Sequence, residues 1–211
     1  IIFAVLISEV RALRFKKLIQ TVSYLPHFIS WVVAGNMVLL FLSQEGTFNT
    51  ILMKLQIIDQ PIAYFQNGKY FWVILALSNL WKELGWGTII YLAAISGIDT
   101  QLYDAAYIDG AGRFRRIWHV TMPSITFTIV FLLILSISGI LNSGFEQQLI
   151  MANTMIWDYA DNIDTYTYRY GLAQALYPYG TAVGLFKSVV SFIFLYMANT
   201  ISKKISGYRI W

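Results

Sequence analysis

The sequence predicts an all-α fold, a polytopic helical membrane protein, and three observations carry that prediction. Hydrophobic residues make up 57% of the 211 and charged residues only 12%, about half the charged share of an ordinary soluble domain. Several apolar runs approach the ~20 residues that a helix needs to cross a ~30 Å hydrocarbon core, so the solvent for most of the chain is a bilayer rather than a large soluble core. Lysine and arginine gather in alternate polar segments between those runs, as they do in chains that weave through a membrane.

The elements follow in order. IIFAVLIS at the start has no initiator Met, no basic region and no small-residue cleavage site, so it is not a signal peptide. Eight residues are too few to span, and the run is expected to be the tail of a span that begins before Ile1. EVRALRFKKLIQ then places Arg11, Arg14, Lys16 and Lys17 just beyond the membrane edge. Residues 24–42 have the length of one span, with Pro26 expected in its first turn, where a missing N–H costs little. Residues 43–69 read as a polar loop in which ILMKLQII can lie as a short interfacial helix. Residues 70–98 read as one tilted or kinked helix interrupted by Lys82 and Glu83, two half-spans being the alternative. A charged segment follows, then a clean span at 124–142, a wet segment at 143–180 and a last span at 181–201.

Positive charge sets the orientation. The segment at 9–20, the charged segment before 124 and the tail after Ile201 hold ten lysines and arginines, Arg209 included, against three (Lys54, Lys69 and Arg169) in 43–69 and 143–180. The ten belong on the cytoplasmic side, which places 99–123 and the C-terminus inside and 43–69 and 143–180 outside.

The charged segment, YDAAYIDGAGRFRRIWHVTMPSI from Tyr103 to Ile125, reads as helix, turn and helix. Ala105 and Ala106 favour a helix and carry almost no bulk. Gly110, Ala111 and Gly112 permit a tight turn. Phe114, Ile117 and Trp118 fall at i, i+3 and i+4, so a second short helix can turn one apolar face while Arg113, Arg115 and Arg116 face water or headgroups. Pro123 opens the next span. Such a surface suits either docking by a partner or anchoring to anionic lipid.

Asp104-Ala105-Ala106, three residues, Gly110, nine residues and Val120-Thr121-Met122-Pro123 closely resemble the Glu-Ala-Ala…Gly…Ile-x-Leu-Pro loop of binding-protein-dependent ABC transporter permeases. Asp for Glu at 104, Val for Ile at 120 and Met for Leu at 122 are conservative departures. IDGAGRFRRIWHVTMP, with YLAAISGI before it and AVGLFKSVVSFIFLYMAN after it, resembles the carbohydrate-uptake branch, the type for complex oligosaccharides, over essentially the whole chain. The resemblance implies the type I importer permease fold over 1–211, lacking the first span and most of the second. It implies that Asp104, Ala105, Ala106, Asp109, Gly110, Ala111 and Pro123 form an ATPase-coupling loop that fits a cleft on a cytoplasmic ATPase dimer. It also implies a second permease subunit, an extracytoplasmic sugar-binding protein and residence in the bacterial cell membrane, with no nucleic acid among the partners and no cofactor.

The remaining polar residues are weighed singly. No Gly-x-x-x-x-Gly-Lys-Ser/Thr phosphate loop is present, so ATP hydrolysis is expected on a separate subunit. Lys82 and Glu83 mark either a pathway or a packed interface, the latter being the expectation. Lys187 is expected to snorkel outward. Asn142, Glu146, Gln147 and Gln148 suit sugar hydroxyls or an ordinary wet loop. The tyrosines from Tyr159 to Tyr179 are expected to form an interfacial belt or a docking surface for a binding protein rather than a stacking platform for sugar. His27 and His119 have no companion at metal-ligand spacing, and Asp158, Asp161 and Asp164 are expected to be a solvated acidic face rather than a Ca²⁺ site. No Cys, paired intramembrane Asp or His-Glu-x-x-His supports a membrane-embedded enzyme. A secondary transporter or channel without an ATPase is the alternative, and it lacks the expected repeat symmetry and dense polar lining.

Overall fold

The computed structural model describes residues 1–142 and 144–207, the side chains of 205 and 206 excepted. Arg209 of the basic tail lies outside the described residues. Every regular element among the described residues is a helix. The chain divides into two compact units, one of Ile1–Leu25, Leu84–Ile140 and the described part of Val189–Trp211, the other of Pro26–Glu83 and Leu141–Ser188.

The first unit contains α1 (Ile2–Ser8), α2 (Leu13–Tyr24) and, after the intervening elements, α6 (Ile89–Ser96). Ala4 and Ile7 of α1 bury against Leu92 of α6, with Phe3, Ile19, Tyr91 and Ile95 around them. Apart from the partly buried Ile19, α2 turns its apolar residues outward: Leu13, Phe15, Leu18 and Val22 are exposed between basic residues, the pattern of a helix in contact with a membrane surface. Backbone meets backbone at Gly85, where a Cβ would stand 2.0 Å from the Ser23 carbonyl oxygen. No side chain fits there.

The second unit contains α3 (Trp31–Phe41), α4 (Thr47–Lys54) and α5 (Gly68–Glu83). Phe71, Ile74 and Leu75 of α5 form its core with Met151, Ile156 and Ala160, flanked by Val38, Leu42, Tyr64 and Phe65. Polar side chains staple its connections. Asn49 is fully buried, donating to the Ser43 and Ile62 carbonyls and accepting from the Ile62 N–H at 2.9–3.0 Å. Asn153 Nδ2 donates to the Phe65 carbonyl at 2.8 Å, and Trp72 Nε1 to that of Tyr159 at 2.8 Å.

The helices depart from the expected spans at definite places. Residues 24–42 are not one helix: α2 runs into a 3₁₀ turn at Leu25–Phe28, and α3 starts afresh with the Ser30 hydroxyl accepting from Val33 N. Pro26 thus ends a helical run instead of opening one, because it cannot donate to the preceding turn. Residues 70–98 are two pieces, α5 and α6, separated at Leu84-Gly85 and a 3₁₀ turn at Trp86–Thr88. The half-spans are therefore the correct reading, and the close approach at Gly85 occupies the break. The short helix in 43–69 is α4, beginning earlier than ILMKLQII.

After α7 (Thr100–Ile108) and α8 (Arg113–Arg116), the chain passes through a π turn at Ile117–Thr121 into α9 (Met122–Ser124) and α10 (Thr126–Ser138). The 63° bend between Arg113–Ser124 and Thr126–Ser138 thus falls at the start of the expected span at 124–142, most of which is the unbroken α10. Pro123 supplies a reason for the π turn: in a regular helix its ring would strike the His119 carbonyl, and the wider turn relieves that clash. The wet segment at 143–180 is largely helical, with α11 (Phe145–Met151), α12 (Trp157–Ala160), α13 (Ile163–Thr167) and a second π turn at Tyr168–Leu172. α14 (Tyr177–Ser206) closes the chain. Among the described residues one helix, Tyr177–Lys204, is long and apolar enough to cross a membrane alone. Up to three spans result if Leu13–Phe28 with Trp31–Phe41, and Arg113–Ser124 with Thr126–Ser138, each count as one.

Candidate functional site

α7 is built to present itself. Asp99 caps it, its carboxylate accepting from Gln101 N at 2.9 Å. At the other end Ala111 N donates to the Ala106 carbonyl at 2.9 Å and Gly110 N to that of Tyr107 at 3.0 Å, the paired bonds of a Schellman stop with Gly110 left-handed at φ +73°. A Cβ at Gly110 would meet nothing within 4 Å. Glycine is therefore required here by its dihedral and not by space. Gly112 needs no such freedom, since its φ is −66°.

The structure brings Asp104, Ala105, Ala106, Asp109, Gly110 and Ala111 together on this helix and its turn. Pro123 lies apart, beyond the π turn. None of the α7 residues is buried. Around the turn Tyr107, Ile108, Phe114 and Trp118 are 72%, 84%, 89% and 70% exposed. The second short helix is present as Arg113–Ser124, in which α8 runs through the π turn into α9, with Phe114 and Trp118 exposed among the arginines and Ile117 half-buried. Side-chain contacts tie the segment to itself and to the start of the chain. The Tyr103 hydroxyl lies 2.9 Å from Thr121 Oγ1, and Arg113 Nε lies 3.4 Å from Glu9 Oε2.

The other candidates resolve into packing. Lys82, 5% exposed, donates to the His27 carbonyl at 2.9 Å and to Glu83 at 3.3 Å, with Trp31 beneath its ammonium at 5.3 Å. Glu83 also bonds His27 Nδ1 at 2.8 Å. His119 Nδ1 meets the Arg115 carbonyl at 3.0 Å. Lys187 does not snorkel. It is buried and donates to Asp164, because a carboxylate within reach satisfies it better than a climb to the headgroups. The acidic trio is not a solvated face either: Asp161 holds Arg169, which stacks 4.3 Å over Trp157, and only Asp158 is exposed. Among the described residues no three His, Asp or Glu converge as metal ligands.

Gln147 is buried, donating to the Leu75 carbonyl and Ser78 Oγ at 2.8–2.9 Å, so it stitches α11 to α5. Gln148 is also buried, its Oε1 without a partner, while Glu146 is exposed. Tyr166 packs against Tyr170 and Tyr179, with centroids 4.4 and 6.4 Å apart. Together with Asp161, Asn162 and Phe186, Tyr166 and Tyr179 edge an open groove of about 500 Å³. The structure adds Tyr103 and Thr121 to the site. The Gly110 turn and most of the π turn lie between them, so no local periodicity in the sequence signals the bond.

The chain is 45% identical over 205 residues to Protein LplB of Bacillus subtilis, covering 97% of this chain and 64% of that one. It is 42% identical over 212 residues to the polygalacturonan/rhamnogalacturonan transport system permease protein YteP of the same organism, covering all of this chain and 65% of the relative. The chain thus spans just under two thirds of the length of these curated relatives. A chain in the crystal structure of a bacterial alginate ABC transporter, in complex with an alginate pentasaccharide-bound periplasmic protein, superposes with a TM-score of 0.94 at 38% identity, over 99% of this chain and 72% of that one. Residues 1–207 match the family described as binding-protein-dependent transport system inner membrane component, and the chain belongs to that family of inner-membrane transport proteins.

Proposed function

We propose that this chain is a permease subunit of an ATP-driven importer and translocates a sugar or oligosaccharide delivered by an extracytoplasmic binding protein. It would pair with a second permease, and a cytoplasmic ATPase dimer would supply the energy, since the chain itself has no phosphate loop. The observation that carries the reading is the exposed helix-turn at α7. Asp104, Ala105, Ala106, Asp109, Gly110 and Ala111 stand clear of the chain's own core and end in a glycine turn with open space beyond it. Small residues on such a helix let another protein's surface approach closely. Pro123 acts at a distance, by opening the π turn that joins this helix to the following span. The carbohydrate-transport names of the relatives support the cargo class, and the cytoplasmic excess of basic residues supports the side on which α7 lies.

Gly110→Trp in the full-length protein, co-expressed with its partner permease and ATPase, tests this. A Cβ at this position meets nothing within 4 Å, so the cost at the backbone is the dihedral strain, about 1 kcal/mol. The variant should insert and pair with the second permease yet lose the ATPase on purification. Retention of the ATPase at the unmodified level would show that α7 is not the coupling element.

A further inference from the structure

Nothing in the packing of α7 holds it rigidly. It buries none of its residues, and a helix with so little buried contact moves readily by itself. Gly97 follows α6 before it, and Gly110 turns left-handed after it. A push on α7 that travelled only through the backbone would be absorbed in that glycine turn.

Tyr103 offers a second route. Its half-buried side chain crosses the turn and places its hydroxyl 2.9 Å from Thr121 Oγ1. Thr121 is 2% exposed and is the last residue of the π turn. Its carbonyl accepts from Ile125 N at 3.2 Å, and Ile125, 1% exposed, immediately precedes α10. One hydroxyl pair thus joins the middle of α7 to the foot of the span. Away from water such a bond is not readily exchanged for a solvent partner.

We infer that Tyr103 is a positioning residue whose hydrogen bond to Thr121 is a strut, making α7 and α10 move as one body when an ATPase displaces α7. The inference rests on the docking role proposed for α7. It assigns Tyr103 to transmission and not to docking.

The chain has no cysteine, so two single-cysteine reporters can separate those roles in the assembled transporter. Ala105→Cys, on α7, reports docking by its crosslinking yield to the ATPase surface. Ser136→Cys, on the exposed side of α10, carries a bimane fluorophore whose emission change on trapping with ATP and vanadate reports movement of the span. Tyr103→Phe and Thr121→Val should each reduce the bimane response by about threefold to tenfold, the range set by one net hydrogen bond, with crosslinking at Ala105→Cys unchanged. The double variant should lose no more than either single one, and Thr121→Ser, which keeps the hydroxyl, should keep the response.

An undiminished bimane response in Tyr103→Phe overturns the strut, and so do losses that add in the double variant. A fall in crosslinking in Tyr103→Phe overturns it as well, by assigning the bond to docking. Tyr103→Phe removes only a hydroxyl and keeps the ring, so it decides the matter even if Thr121→Val fails to assemble. If Gly110→Trp keeps its ATPase, the docking role itself fails. If Gly110→Trp loses the ATPase while Tyr103→Phe responds normally, the strut alone fails.

Discussion

At Lys82 a single ammonium is shared by the His27 carbonyl and the Glu83 carboxylate, and Glu83 turns its other oxygen to His27 Nδ1. The Lys82 side chain is 6% exposed and that of Glu83 36%, so the cluster sits between the dry and wet extremes. Removing one member leaves the rest with unmet polar groups, a larger effect than losing one net bond. Lys82→Met keeps the aliphatic stem and removes the charge. It is expected to lower the stability of the assembled protein by about 1–3 kcal/mol, read as a lower thermal midpoint in detergent and a smaller yield of complex. An unchanged midpoint and yield, with weakened sugar affinity, would make Lys82 a cargo contact rather than a brace. Gly85 and Gly110 show the same residue type used for opposite reasons. Gly85 has helical dihedrals and no room, whereas Gly110 has room and a dihedral that other residues resist.

At the scale of elements, α13 is held to α14 by Lys187 and Asp164, whose side chains are 10% and 23% exposed. A pair this far from water is a weak net stabiliser but a costly one to halve, since the survivor keeps its charge without its partner. Lys187→Met and Asp164→Asn are each expected to destabilise by roughly 2–4 kcal/mol, and the double variant by less than the sum. Chemical denaturation of the four proteins checks this, and strictly additive losses would show that the two groups do not act on each other. The neighbouring pair, Arg169 and Asp161, is reinforced by Trp157 beneath the guanidinium and by Thr165, which donates to Asp161 at 2.6 Å. The short helices α12 and α13 thus keep their shape through side-chain pairing, because four or five residues cannot hold a helix by propensity.

For the whole molecule, the basic residues of 9–20 and 113–116 fall in one unit and the acidic, tyrosine-rich segment in the other. The asymmetry predicts which surface faces the cytoplasm. Arg115 and Asp158 are both exposed, and neither position competes with a native cysteine. In intact cells a membrane-impermeant maleimide should label Asp158→Cys and spare Arg115→Cys until the membrane is permeabilised. Labelling of Arg115→Cys in sealed cells would invert the topology and remove α7 from the side where ATP is found.

The sequence by itself determined the helical membrane class, the long last helix and the helix-turn at α7. Each of these is written locally, in apolar run length, in the small pair Ala105-Ala106 and in a glycine at the end of a helix. The tertiary structure alone decided where the spans break. Lys82 and Glu83 within 70–98 allow either one kinked helix or two pieces, and the Ser23 carbonyl arriving against Gly85 accompanies the break that the fold makes there. It also decided the fate of the charges. Lys187 snorkels or pairs according to whether a carboxylate stands within reach, and Asp164, 23 residues away in the chain, is placed there by folding. The Tyr103–Thr121 bond is of the same kind. A residue type and a spacing specify what a helix can do, whereas the partner of a buried polar group is chosen by distances that exist only once the chain has folded.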